Sequence, residues 1–90
     1  MNFILKDDVH KMFDDNEVKL TFYSEESEEK MLVLTELTAI FFNTIEYGRN
    51  YSIDECVRSF LEKNEEIEEK LVRKKFEQVI SSFIELKFTK

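Results

Sequence analysis

Val18, Leu20 and Phe22 alternate with Lys19, Thr21 and Tyr23, the period-two pattern of a strand with one wet face, and this predicts a strand over residues 17–23. Asp14, Asp15 and Asn16 form a turn cluster before it, and residues 9–13 are apolar enough to pair back as a first strand in a hairpin. Residues 24–29, which include Glu25, Glu26, Glu28 and Glu29, read as a charged, solvated loop. A third short strand follows at Lys30, Met31, Leu32, Val33 and Leu34. Its four consecutive apolar residues predict contacts on both faces.

At Glu36 the period changes. Leu37, Ile40, Phe41, Thr44 and Ile45 recur at steps of three and four, with Thr35 as the expected N-cap and Gly48, the only glycine, placed to end the helix. Ser52, Ile53, Asp54 and Glu55 form a capping box that opens a second helix, whose buried stripe is Ile53, Val57, Phe60 and Leu61. Asn64 is the expected cap of a third helix. Glu65, Glu66, Glu68 and Glu69 would then lie at the positive end of its dipole, with Lys87 and Lys90 at or beyond the other end. Ile67, Leu71, Val72, Phe76, Val79, Ile80, Phe83 and Ile84 give that helix a broad apolar face. The order β-β-β-α-α-α predicts an α+β, winged-helix-like domain spanning residues 1–90, with a three-stranded antiparallel sheet followed by three helices.

Composition narrows the function. The 90 residues contain no proline, linker or internal repeat, and they support a single core. No apolar run approaches the ~20 residues of a membrane span. The first residues lack the basic and apolar regions of a secretion signal, so a cytoplasmic location is the expectation. Cys56 is the only cysteine and excludes an internal disulfide. It falls near the apolar stripe of the second helix and reads as a small buried thiol. His10, Asp7 and Asp8 have no second His or Cys to complete a metal site, and neither His10 nor Cys56 has a partner that would make a nucleophile and base pair. The expectation is a protein without cofactor or metal that is not an enzyme.

A net charge of -7 repels phosphate backbones and disfavours nucleic acid as a partner. The charge is uneven, however: between Lys70 and Lys90 six basic residues face two acidic ones.

The segment Leu34-Thr35-Glu36-Leu37-Thr38-Ala39-Ile40-Phe41-Phe42 resembles the pattern L-N-E-x-[AG]-A-x-I-W of the PqqD-like family. These are the recognition elements that bind leader segments of ribosomally made, post-translationally modified peptides. Thr44, Ile45, Glu46 and Gly48 occupy places comparable to that family's L-[LI]-D-G, and a capped second helix follows. The departures are Thr35 for Asn, Phe42 for Trp, Glu46 for Asp, and extra residues around positions 47–51.

The resemblance implies a non-catalytic protein that binds a precursor's leader as an added β-strand and delivers it to a separate modifying enzyme such as a protease, cyclase or radical enzyme. The strand Lys30, Met31, Leu32, Val33 and Leu34 would receive the leader. On the third helix Val72, Phe76 and Val79 would hold apolar leader side chains, and Arg73, Lys74 and Lys75 would attract carboxylates. Each residue also has a plainer role open to it: core packing for Phe76 and Val79, pairing with Glu68, Glu69 or Glu77 for the cations, and protection of a bare sheet edge for Lys30. A winged-helix transcriptional regulator and a structural adaptor subunit that pairs with itself are the alternative functions.

Overall fold

A computed structural model of the chain describes residues 1–23 and 28–90, with Tyr23 described through its backbone. The elements run β1 Asn2–Ile4, β2 His10–Asp14, β3 Glu17–Tyr23, β4 Glu29–Thr35, α1 Glu36–Phe42, β5 Asn50–Ser52, α2 Ile53–Lys63 and α3 Glu69–Glu85. The expected α+β layout, three helices with a three-stranded antiparallel sheet, is present. That sheet has the order β2-β3-β4, and β1 and β5 make a second, two-stranded sheet that the sequence pattern did not disclose. Both added strands are three residues long, too short for a period to register.

The hairpin forms where the turn cluster predicts it. Asp15 and Asn16 take φ of 45° and 66° between the terminal pair Asp14 and Glu17. A two-residue loop with positive φ at both positions matches the right-handed twist of its strands. The first strand covers residues 10–14 rather than 9–13. Val9 is buried but sits in a turn, its N–H donating to the Lys6 carbonyl.

On β3, Val18, Leu20 and Phe22 face the helices and are buried. β4 corrects the expectation of burial on both faces. Leu34 is buried and Leu32 half-buried, whereas Met31 and Val33 are 48% and 44% exposed. The helices cover only one face of this sheet, so an unbroken apolar run is split into a packed and a wet half.

Three helix boundaries also differ from expectation. α1 stops at Phe42, with Asn43 as its C-cap, and Gly48 lies beyond it in a turn with φ of 76°, where its N–H donates to the Leu5 carbonyl. Thr35 is the N-cap of α1 as expected, but its side chain makes no cap hydrogen bond. Instead Glu36 turns the chain from strand to helix with φ of 54° while its N–H reaches the Asn16 carbonyl. Asn64 ends α2 rather than starting α3, and its side-chain amide donates to the Phe60 carbonyl. α3 starts at Glu69, so Glu65 and Glu66 lie before the helix. The Ser52 cap is as expected, its hydroxyl accepting from the Glu55 N–H at 3.1 Å. The Glu55 carboxylate turns to Arg49, also at 3.1 Å.

The core is dominated by phenylalanine. Phe42 sits at its centre, with ring centroids of Phe76, Phe41 and Phe83 at 5.2, 5.3 and 5.5 Å. Such edge-on pairs add about 0.5–1.5 kcal/mol each to the burial itself. α3 supplies Val72, Phe76, Val79, Ile80 and Phe83 to this core, while Leu71 and Ile84 are exposed, so its apolar face is narrower than the sequence predicts. Lys11 ties sheet to helix: its ammonium donates to the carbonyls of Asn43 and Ile45 at the end of α1, at 2.9 and 2.6 Å. Burial there lowers its pKa. Among the described residues no helix is long and apolar enough to cross a membrane.

Candidate functional site

The sheet has β3 in the middle and β4 at one side, paired among the described residues only with β3. Which β4 backbone groups are unpaired follows from the hairpin. A two-residue loop makes Asp14 and Glu17 a hydrogen-bonded pair, and in an antiparallel ladder the direction of N–H and C=O alternates residue by residue. Glu17, Lys19 and Thr21 therefore point toward β2, and Val18, Leu20 and Phe22 toward β4. Their β4 partners are Leu34, Leu32 and Lys30. The bond from the Glu36 N–H to the Asn16 carbonyl continues the same phase. Met31 and Val33 consequently direct their N–H and C=O groups away from β3, to the open edge.

At Leu34, next to that edge, β4 meets a groove. An opening of about 220 Å³ is lined by Leu34 of β4, Thr38 of α1, and Lys75, Gln78, Val79 and Ser82 of α3. A turn of helix advances 3.6 residues, so 75, 78, 79 and 82 form one ridge of α3. Thr38 is held in place by its hydroxyl, which donates to the Thr35 carbonyl at 2.8 Å. Beyond Thr38 and Lys75 an apolar cleft continues over Leu37, Ile67, Leu71 and Phe76.

The candidate residues divide sharply. Lys30, Leu32 and Leu34 share the helix-facing side of β4, and Met31 and Val33 the opposite side. Val79 and Lys75 line the groove with Leu34. Val72 and Phe76 are buried, and the Phe76 ring is packed on Phe41, Phe42 and Phe60 at centroid distances of 4.9, 5.2 and 5.6 Å. They are core residues that floor the apolar cleft. Lys74 is exposed outside the groove lining.

Arg73 lies about 160° around α3 from Lys75. Its guanidinium is bound to Asp54 of α2 at 2.7 Å, a pairing across helices rather than the one along α3 with Glu68, Glu69 or Glu77. That hydrogen bond holds the Asp54 carboxyl below its ordinary pKa and raises that of Arg73.

The groove also uses residues that sequence reasoning missed. Gln78 and Ser82 were accessible to it, because they share the helical ridge of Lys75 and Val79. Thr38 was not, since only the crossing of α1 against α3 brings it there.

A second cleft, of about 180 Å³, lies by β5 and α2 and includes Arg49, Tyr51, Glu55 and Cys56. Arg49 is engaged there, by Glu55 and by the face of the Tyr51 ring at 4.8 Å. Cys56 is buried, and desolvation pushes its thiol pKa up to about 12, which keeps it protonated and unreactive. Among the described residues no group of three or more His, Cys, Asp or Glu side chains is placed to hold a metal ion. In comparisons with protein-family models, curated proteins and solved structures, nothing matches the chain.

Proposed function

We propose that this chain is a winged-helix-like, PqqD-like recognition domain that binds the leader of a precursor peptide as a fourth strand on β4 and hands the peptide to a separate modifying enzyme, without catalysing a step itself. One observation carries the reading: the β4 edge, with the Met31 and Val33 backbone groups unpaired by β3, leads at Leu34 into a groove whose other wall is α3. An extended peptide gains affinity from main-chain hydrogen bonds at such an edge and selectivity from the groove under alternate side chains. The pattern at residues 34–42 supports the same reading, since it covers the turn from β4 into α1 that forms the groove's end.

The test is a titration of the chain with a fluorescently labelled leader from a precursor peptide encoded beside it, at two salt concentrations. Binding at micromolar concentration or tighter, accompanied by shifts of the Met31 and Val33 amide resonances, is expected. A leader that binds without moving those amides, or does not bind, overturns the proposal. Co-purification with a protease, cyclase or radical enzyme encoded nearby tests the delivery step.

A further inference from the structure

Resting on the strand-addition reading, we infer that the helix-facing side of β4, together with Lys75 of α3, selects an extended acidic peptide in one register: two carboxylates four residues apart, both directed at the helix side, with an apolar side chain midway between them.

Residues directly opposed on neighbouring strands project to the same face of a sheet. A strand added to β4 therefore places alternate side chains on the face of Lys30, Leu32 and Leu34, and the intervening ones on the open face with Met31 and Val33. From Leu34 to Lys30 is four residues, about 13 Å along the strand. At the Leu34 end stands Lys75, with Gln78 and Ser82 as neutral polar neighbours. At the other end stands Lys30, opposite Phe22, and the ammonium of Lys6 lies 5.1 Å from the centroid of that same Phe22 ring. Between the two ends is Leu32, packed against the core. That side of β4 thus reads Lys30, Leu32 and Leu34 in steps of two residues, with Lys75 of α3 lining the groove beside Leu34.

Within the described residues the salt bridges are Arg49 with Glu55 and Arg73 with Asp54, so neither Lys30 nor Lys75 is neutralised by an ion pair there. Glu77 projects from the far side of α3, about 160° from Lys75, and Glu29 projects to the opposite face of the sheet from Lys30. On a chain of net charge -7 this puts one cation at each end of the helix-facing side of β4, where an acidic peptide is attracted in the phase that directs its carboxylates to that side.

The experiment uses two labelled heptapeptides of identical composition, Thr-Glu-Thr-Leu-Thr-Glu-Thr and Thr-Thr-Glu-Leu-Glu-Thr-Thr. Both read the same in either chain direction, so strand polarity does not enter. Each is titrated into the full chain, with anisotropy giving affinity and the Met31 and Val33 amide shifts reporting edge pairing. The first peptide is expected to bind about fivefold tighter, the effect of two partly exposed charge contacts. The preference should vanish in the folded double variant Lys30→Glu with Lys75→Glu, and that variant should prefer Thr-Lys-Thr-Leu-Thr-Lys-Thr. Equal affinity of the two glutamate peptides, with both moving the edge amides, overturns the register and leaves strand addition standing. If neither these peptides nor the encoded leader moves the Met31 and Val33 amides, both readings fall.

Discussion

Proline substitutions at neighbouring positions of β4 separate the open edge from the fold. The Leu32 N–H points at β3, where its partner is Leu20. Leu32→Pro removes that ladder bond, leaves the Leu20 carbonyl without its donor beside a buried side chain, and shortens a half-buried residue. An orphaned buried acceptor costs about 1–3 kcal/mol, and the lost side-chain packing brings the total to about 3 kcal/mol. That is a large share of the ~5 kcal/mol at the low end of domain stabilities. Val33→Pro differs: its N–H faces the open edge, where proline is tolerated in sheets, and its side chain is 44% exposed. Its stability cost is expected at about 1 kcal/mol or less.

For leader binding the order reverses in significance. Val33→Pro deletes a main-chain donor worth about 1 kcal/mol, roughly fivefold in affinity, and sets the ring in the path of the incoming strand. Urea denaturation followed by circular dichroism measures the first effect, and anisotropy titration with the labelled leader measures the second. If Val33→Pro unfolds the chain as readily as Leu32→Pro, the assigned phase of the ladder is wrong. If a stable Val33→Pro variant binds the leader as tightly as the parent, the β4 edge is not the binding site.

Other consequences concern single residues. Lys87 holds φ of 62° after α3, where the Lys87 N–H reaches the Ile84 carbonyl and the Phe88 N–H the Phe83 carbonyl; this is a Schellman cap with lysine in the glycine position, so Lys87→Gly should stabilise by about 1 kcal/mol, read as a rise in Tm. Because Arg73 is committed to Asp54, Arg73→Ala should leave leader affinity unchanged while Lys75→Ala lowers it, and equal losses in the two titrations would place Arg73 in the site after all. The same pair sets an acid limb: the Asp54 pKa is lowered in the fold, so its stabilisation is complete above the unfolded carboxyl pKa and fades as pH falls through the folded one, and an acid titration of Arg73→Ala should lack that component. The Cys56 pKa is raised from 9.0 to about 12, so its contribution holds below pH 9 and is lost as pH climbs toward 12; thiol labelling near pH 8 should proceed only as fast as the chain opens, and rapid labelling of the folded protein would contradict its burial.

The sequence by itself determined the elements whose signal is local. The strand over residues 17–23 alternates cleanly because one face is wet, the turn cluster selects a two-residue hairpin, and Ser52 caps α2 through a bond three residues away. It also marked Leu34, Lys75 and Val79, three of the residues that line the groove. Tertiary structure decided what depends on partners distant in the chain. Asn2–Ile4 becomes a strand only because Asn50–Ser52 pairs with it, and Arg73 is tied to α2 because the fold brings Asp54 within 2.7 Å of it. The apolar run 31–34 carries no phase of its own, so the helices packed on one side chose which half of it would be buried. The open edge is of the same kind: which β4 carbonyls and amides lack a partner is fixed by the register with β3 and by where the sheet stops, and neither is a property of the residues in β4.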